Sequence, residues 1–321
     1  MTTFRKKTGR IAAIVLTAAL IFSFAAPGAA FAATADPDAL LPPGVFDPAE
    51  GALAALREQI ASLEKIIELN VPRADKIPVL LYHHLAREDE LTPSDRNNDF
   101  VMSVEKFSEQ MKYLYDNNYY TASLYELERY INGKVILPEK TVVITFDDGY
   151  RSNTKYAYPI LKKYDFRAAI FIVSSLIGEK VNVIERANWG DLKNCKDVFS
   201  YHSHSHNLHQ QQRDGKSSFV VSDSSVIAND ILISKALLST SYIAYPYGQT
   251  SRAVKKALSE SGYRMGFTTV AEYVKRKSDA YEVPRFTITP QTSQDVFEAI
   301  VTGKAGPAAA AAATTVTYGE P

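Results

Sequence analysis

The 321 residues of this chain carry 36 Lys and Arg against 36 Asp and Glu, and the isoelectric point is near 7.0. A chain without an excess of basic residues lacks the positive charge that attracts a nucleic acid, so the class of nucleic-acid-binding proteins is excluded. Cys195 is the only cysteine, which rules out an internal disulfide. The composition therefore predicts a soluble protein without nucleic acid as a partner.

The N-terminal residues have the pattern of a secretory signal peptide. Four basic residues precede the apolar run Ile11–Ala25, and Ala30-Phe31-Ala32 offers the small residues that signal peptidase requires. We expect cleavage after Ala32 and a secreted or cell-envelope-associated protein; an uncleaved anchor is the alternative. Removal of residues 1–32 leaves 32 basic against 36 acidic residues, a net charge near −4.

The remaining sequence divides into segments of different composition. Leu53, Leu56, Ile60, Leu63 and Ile67 recur at spacings of three and four, which predicts an amphipathic helix. The domain prediction is a signal peptide at 1–32, a linker at 33–50, the amphipathic helix at 51–70, a catalytic domain at 77–302 and a disordered tail at 303–321.

Short apolar runs alternate with helical patterns through the catalytic domain. The predicted strands are Ile77–Tyr82, Thr141–Thr145, Ala168–Val173, Val198–Tyr201, Tyr242–Tyr245 and Gly266–Val270. The predicted helices are Val104–Asn117, Ser123–Ile131, Ser152–Tyr164, Ser224–Leu238 and Ser251–Ser261. This alternation predicts an α/β fold with a parallel sheet or barrel, in which functional residues gather where strands end.

A pair of carboxylates follows the second predicted strand. Asp147, Asp148 and Gly149 come directly after the apolar residues 142–146. Because side chains alternate along a strand, both acids reach one pocket only if the chain turns, and Gly149 permits a turn. Two acids held close have separated proton affinities, which suits one metal ligand and one base.

Four of the six histidines lie within eight residues, at 202, 204, 206 and 209. They follow a predicted strand, and together with the acidic pair they predict a metal site. Imidazoles plus a carboxylate, with one position left for water, form the ligand set of a hydrolytic zinc centre. Spacing alone leaves three pairs open: 202 with 204, 202 with 206, or 204 with 206.

A third element, Tyr245-Pro246-Tyr247-Gly248, ends another predicted strand. Its proline and glycine fix a turn that can aim backbone N–H groups into a cleft.

Together these elements resemble the polysaccharide deacetylase family, the carbohydrate esterases with a nodulation-type deacetylase domain, over residues 77–302. The motifs that carry the resemblance are Thr-Phe-Asp-Asp-Gly at 145–149, His-Ser-x-Ser-His at 202–206 and Tyr-Pro-Tyr-Gly at 245–248. The resemblance implies an irregular (β/α) barrel, here with an extra N-terminal amphipathic helix, and one divalent cation, usually zinc.

Carried over residue by residue, the resemblance implies that Asp147 is the catalytic base and that Asp148, His202 and His206 bind the metal. The backbone N–H of Tyr247 would stabilise the oxyanion.

Two departures from the family pattern bear on the site. The third motif usually begins with an arginine that supports the base, whereas this chain has Ile243-Ala244-Tyr245 there. Arg285 is a candidate for the substrate-facing arginine, with a surface or structural role as the alternative. The general acid is usually a C-terminal histidine, and none follows His209. Instead His83 ends the first predicted strand, as in a permuted branch similar to the poly-N-acetylglucosamine deacetylases, and it matches the acid.

The expected function is hydrolysis of the N-acetyl amide of sugars in a cell-envelope or biofilm polysaccharide. Poly-N-acetylglucosamine is the first candidate substrate, ahead of peptidoglycan, with chitin and xylan remaining open. One alternative is a non-catalytic glycan-binding protein that retains the fold, which the missing motif arginine favours. Another takes His202-x-His204 as the metal pair of an amidohydrolase-type or β-lactamase-type hydrolase, but no further ligands in those patterns follow.

Overall fold

A computed structural model describes residues 72–181 and 184–305 of the chain. The predicted signal peptide, linker and amphipathic helix, and almost all of the predicted tail, lie outside these ranges. None of the helices within them combines the length and the apolar character that crossing a membrane would require.

Twelve short strands are described. They are β1 (Val79–Tyr82), β2 (His84–Ala86), β3 (Val101–Ser103), β4 (Tyr120–Thr121), β5 (Thr141–Phe146), β6 (Ala168–Ile172), β7 (Lys180–Val181), β8 (Ile184–Glu185), β9 (Phe199–Ser203), β10 (Tyr242–Ala244), β11 (Met265–Phe267) and β12 (Phe286–Thr287).

Nine α-helices connect or cover these strands. They are α1 (Pro93–Arg96), α2 (Val104–Asp116), α3 (Leu124–Ile131), α4 (Tyr158–Lys163), α5 (Trp189–Asn194), α6 (Ser218–Val221), α7 (Ser224–Leu238), α8 (Arg252–Glu260) and α9 (Gln294–Val301). A π-helical segment, Asn153–Ala157, precedes α4. Most of the longer helices begin at a Ser whose side chain accepts a backbone N–H, as Ser103 does for α2, which is the usual way of satisfying the first N–H groups of a helix.

Eight of the strands form one curled sheet in the order β11-β10-β9-β6-β5-β1-β12, with β4 paired to the beginning of β5. The strand pairs in this sheet are all parallel. The carboxyl ends of β1, β5, β9 and β10 therefore meet at one edge, and the loops after them converge there.

Side-chain alternation along the strands divides the core in two. On β5, Val142 and Ile144 pack outward against the covering helices, whereas Val143 packs inside the curl with residues of α3. This period of two, with both faces buried, explains why the strand sequence is apolar throughout. The rigid strands in turn fix the positions of the polar residues that follow them.

The architecture agrees with the predicted α/β class and parallel sheet. The predicted helix Ser224–Leu238 has the observed bounds of α7, and the predicted strand at 141 ends one residue later than expected, at Phe146. The largest consequence for function comes from β9, which was predicted to end at Tyr201 and instead continues to Ser203.

Candidate active site

The two carboxylates after β5 occupy one buried pocket because the chain turns sharply at the second of them. Asp148 and Gly149 both have φ of 72°, in the left-handed region. Glycine adopts this conformation without cost and Asp does so more readily than most residues. The exposed fractions of Asp147 and Asp148 are only 2% and 8%.

Arg285 holds Asp147 from inside the curled sheet. Its Nη1 and Nη2 each lie 2.7 Å from one carboxylate oxygen of Asp147, and its Nε donates to the carbonyl of Thr268 at 2.9 Å. The arginine side chain is fully buried. A guanidinium with two parallel bonds to a carboxylate fixes the orientation of that group. Because it has no accessible surface, Arg285 is placed to orient Asp147 and not to contact a substrate, which corrects the expectation that it faces the substrate.

The charges around Asp147 determine its protonation. Burial raises the pKa of its carboxyl, but the positive charge of Arg285 and the electrostatic influence of His204 outweigh burial and hold the pKa below the ordinary value. Asp147 is therefore ionised at neutral pH and able to accept a proton.

Asp148 faces two imidazoles, those of His204 and His209. The Nε2 atoms of the two rings lie 3.0 Å apart, and Asp148 Oδ1 lies 3.6 Å from His204 Nε2 and 3.3 Å from His209 Nε2. Among the described residues, this group is the one whose ligand atoms all lie within 4.8 Å of one another. The arrangement gathers three ligand atoms around one point.

The chemistry of this group fits a divalent cation. Zinc–ligand bonds of about 2.0–2.1 Å in tetrahedral geometry place ligand atoms about 3.3 Å apart, close to the separations found here. Asp148 Oδ1 is buried and has no hydrogen-bond partner among the described residues, which is costly unless a cation compensates it. His204 Nδ1 lies 2.8 Å from the carbonyl oxygen of Ala244, so this nitrogen carries the hydrogen and Nε2 presents its lone pair to the group.

The structure does not bring His202 and His206 to this group, and the expected ligand set needs correction on this geometry. His202 lies within β9, further from the carboxyl end of the strand than His204. Its ring nitrogens pair with Thr240 Oγ1 at 2.7 Å and Ser200 Oγ at 2.8 Å. Its burial lowers its pKa to about 3. His206 points away from the acids, and its Nδ1 lies 3.0 Å from Ser174 Oγ.

His209, to which the sequence assigned no role, is the second histidine of the group formed with Asp148 and His204. After His204 the chain turns at Ser205, where φ is 69°, and returns five residues later with the ring of His209 beside that of His204. Burial lowers the pKa of His209 to about 4, which favours the neutral imidazole that binds a cation. No pair chosen from spacing contained this residue.

His83 lies close enough to the acidic pair for the charges of Asp147 and Asp148 to act on its ring. Its ring packs edge-on against Phe100 with centroids 4.6 Å apart, and Asn153 Nδ2 donates to its carbonyl oxygen at 2.7 Å. Burial lowers the pKa of His83, while the charges of Asp147 and Asp148 oppose burial and favour the protonated form. A histidine in this position can exchange a proton within the pocket.

The turn after β10 forms a further wall of the pocket. Tyr247 has φ of 58°, followed by Gly248 at 68°, and the Tyr247 ring lies 4.9 Å from that of His209. A Cβ added at Gly248 would lie 2.2 Å from Thr269 Oγ1, so only glycine fits this close approach. The turn thus holds Tyr247 against His209.

Comparison with known proteins shows which family and which solved structures this chain resembles. Residues 134–266 match the family model described as polysaccharide deacetylase. The curled parallel sheet is similar to the solved structure of IcaB from Ammonifex degensii, with a TM-score of 0.64 and 26% sequence identity over 74% of this chain and 100% of that one. Residues 134–266 therefore resemble the polysaccharide deacetylase family, as the motifs indicated, and the described residues have a (β/α)-barrel fold like that of the solved structure.

Two curated relatives are similar in sequence to this chain. A putative polysaccharide deacetylase of Bacillus subtilis (strain 168), YxkH, is 29% identical over 70% of this chain and 76% of its own length. A poly-beta-1,6-N-acetyl-D-glucosamine N-deacetylase of Staphylococcus epidermidis is 28% identical over 69% of this chain and 81% of its own length. These relatives confirm the expected resemblance to the poly-N-acetylglucosamine deacetylases, and they support a hydrolase of the polysaccharide deacetylase class.

Proposed function

We propose that this chain is an exported, divalent-cation-dependent deacetylase that hydrolyses the N-acetyl amide of glucosamine units in a poly-β-1,6-linked polysaccharide. The observation that carries the proposal is the convergence of an arginine-held acid, Asp147, an Asp-His-His group and a flanking histidine, His83, at one edge of the sheet. Export remains a prediction from the first 32 residues.

Asp148, His204 and His209 would hold the cation, with zinc as the ion best suited to two imidazoles and one carboxylate. When bound, such a cation lowers the pKa of a water molecule to about 7 and polarises a carbonyl oxygen. The ligand separations and the unpartnered Asp148 Oδ1 support this assignment.

Asp147 is proposed as the general base. It is ionised, and Arg285 fixes both of its oxygens. As water adds to the acetyl carbon, the carboxylate would take up the proton that the water releases. General base catalysis of this kind contributes about 10²–10⁴-fold to a rate.

His83 is proposed as the general acid on the opposite flank. Cleavage of the bond between the acetyl carbon and the amide nitrogen yields acetate and an amine, and the amine leaves only if its nitrogen receives a proton. Burial lowers the pKa of His83 and the charges of the acidic pair only partly oppose it, so the protonated imidazole that would donate is the minor form in the free protein. The backbone N–H of Tyr247 is proposed to donate to the oxygen that becomes negative as water adds.

The substrate assignment draws on the names of the relatives, several of which are poly-beta-1,6-N-acetyl-D-glucosamine N-deacetylases. The alternative of a non-catalytic glycan-binding protein drew its support from the missing motif arginine. The ion pair of Arg285 with Asp147 supplies the same positive charge from another position, so this support falls away.

The test is acetate release from N-acetylated β-1,6-glucosamine oligomers, with chitooligosaccharides, peptidoglycan and acetylated xylan as comparison substrates. We expect release from the β-1,6 oligomers, its loss on chelation and its recovery with zinc, and a drop of about 10²-fold or more in Asp147→Asn. Glycan binding without acetate release in the presence of zinc would instead establish the non-catalytic alternative.

A further inference from the structure

Asp230 is a buried acid outside the pocket that makes contact with the loop carrying His209. It lies in the middle of α7, on the face of the helix that packs against the sheet, and its exposed fraction is 5%. Its Oδ1 accepts the backbone N–H of His206 at 2.8 Å, and its Oδ2 accepts that of Asn207 at 2.6 Å. Both oxygens of one buried carboxylate are thus directed at consecutive amides.

The loop that Asp230 holds has to reverse the chain within a few residues. It leaves β9 at His204, turns at Ser205 and returns His209 to the same pocket. On its other side the N–H groups of Ser174 and Ser175 donate to the carbonyl oxygens of Ser205 and His206, at 3.2 and 3.1 Å. The loop is therefore clamped between α7 and the segment after β6, two to three residues before His209.

We propose that Asp230 is a positioning residue for the cation centre, because its carboxylate fixes the backbone from which His209 reaches His204 and Asp148. The inference rests on the proposed cation site and goes beyond it, since Asp230 itself contacts none of the three ligand side chains through its carboxylate. Groups that orient metal ligands from outside typically change metal affinity by about 10–100-fold when they are replaced.

An isosteric substitution separates this role from simple packing. In Asp230→Asn the side chain keeps its size and one acceptor oxygen, but its amide group meets a backbone N–H, so one of the two loop contacts is lost. The matched control is Ser234→Ala, one turn further along the same buried face of α7, where the hydroxyl has no hydrogen-bond partner among the described residues.

The measurement is the zinc affinity of the full chain, obtained by competition with a chromophoric chelator, alongside circular dichroism and thermal unfolding of the cation-free protein. We expect Asp230→Asn to bind zinc about 10–100-fold more weakly and Ser234→Ala to match the unsubstituted chain within about twofold. The acetate release of Asp230→Asn should recover as zinc is raised, with an unchanged KM for the glycan. A variant that is merely unstable would not show this dependence on zinc.

A folded Asp230→Asn variant with undiminished zinc affinity would overturn the inference while leaving the cation site intact. If that variant does not fold, Asp230→Ser, whose smaller side chain admits water to the loop amides, takes its place with the same expectation. Failure of both to fold would assign Asp230 to the fold and reject the positioning role. An unsubstituted chain with no zinc affinity would reject the proposed site itself, which is a different result.

Discussion

His202 and His204 are two residues apart, the first within β9 and the second one residue beyond its end, and their surroundings differ. His202 lies within β9 and is surrounded by hydroxyls and rings, including Thr240, Ser200 and Phe171. His204 lies just beyond the strand end and faces the carboxylates of Asp147 and Asp148 at 3.8 and 3.6 Å. One layer of the sheet separates a histidine with a packing role from one placed for chemistry.

The lower layer is the level of His202 inside the sheet, and the upper layer is the level of His204 at the carboxyl ends of the strands. The difference shows that the layer in which a polar side chain lies determines which groups it can contact. In the lower layer both nitrogens of His202 have hydroxyl partners, and no carboxylate of the described residues pairs with it. In the upper layer the backbone carbonyl of Ala244 occupies one nitrogen of His204 and leaves the other directed at the acids. Side chains that converge on an unsatisfied oxygen, here Asp148 Oδ1, indicate the functional layer.

The largest expected effect comes from removing a ligand in the upper layer. His209→Ala should abolish zinc binding in the micromolar range and acetate release with it, because two ligands do not hold the ion as three do. The matched control is His206→Ala, whose side chain pairs with Ser174 and not with the acids. Zinc titration of both variants tests this assignment. Loss of the ion in His206→Ala together with its retention in His209→Ala would contradict the placing of His209 among the ligands.

Arg285→Met tests the ion pair that holds Asp147 in the upper layer. It leaves the carboxylate of Asp147 buried without its partner, which typically costs about 3–5 kcal/mol in the free energy of unfolding. Denaturant unfolding of the cation-free protein measures this loss.

The control for this substitution is the double variant Arg285→Met with Asp147→Asn. Because the second change removes the unpaired charge, the double variant should recover part of the lost stability. A single variant as stable as the unsubstituted chain would show that the ion pair with Asp147 contributes nothing to the fold.

The sequence predicted the sheet and the two acids well because both depend on local patterns. The residues 142–146 before Asp147, apolar except for Thr145, define a strand of two buried faces, and the acids at its end follow from where that run stops. The short β12 was not predicted because a two-residue strand has too little periodicity to detect. Helix α9 was also not predicted, although Phe297, Ile300 and Val301 recur at helical spacing after the N-cap Ser293.

The ligand histidines could not be chosen from sequence because the choice depended on the end of β9. A strand that ends at Tyr201 would place His202 first in the pocket, whereas the observed end at Ser203 gives that position to His204. A shift of two residues keeps the same face but moves the side chain one layer. His209 depends on a loop held by contacts with α7, which no local pattern encodes.

His202→Ala tests the lower layer and should have a smaller effect. It leaves the hydroxyls of Thr240 and Ser200 without their partner, at a cost of about 1–3 kcal/mol in the free energy of unfolding. The zinc affinity of the folded variant should stay within about twofold of the original, in contrast to His204→Ala. A loss of zinc binding in His202→Ala, at full folding, would contradict the separation of the two layers.

His83 and His84 repeat the contrast in consecutive residues, whose side chains point to opposite faces. His83 flanks the acids, whereas His84 Nδ1 lies 2.9 Å from the Oγ of Ser152, which also accepts the N–H of Leu85 at 3.0 Å. Burial lowers the pKa of His84 from 6.5 to about 4, with Asp95 and Glu90 opposing burial and Arg186 adding to it. His84 is therefore a neutral, structural histidine at physiological pH.

His84 should also contribute a pH dependence of stability, which no ligand substitution is needed to detect. Because its pKa is lower in the folded than in the unfolded chain, the unfolded chain binds more protons between about pH 6.5 and pH 4. The stability is complete above pH 6.5 and falls as the pH drops through this window, by up to about 1.4 kcal/mol per pH unit. His84→Gln, which can still pair with Ser152 but does not titrate, should flatten this part of the curve in denaturant unfolding of the cation-free protein. An unchanged slope would mean that His84 is protonated equally readily in the folded and unfolded chains, and so that its burial has no energetic consequence.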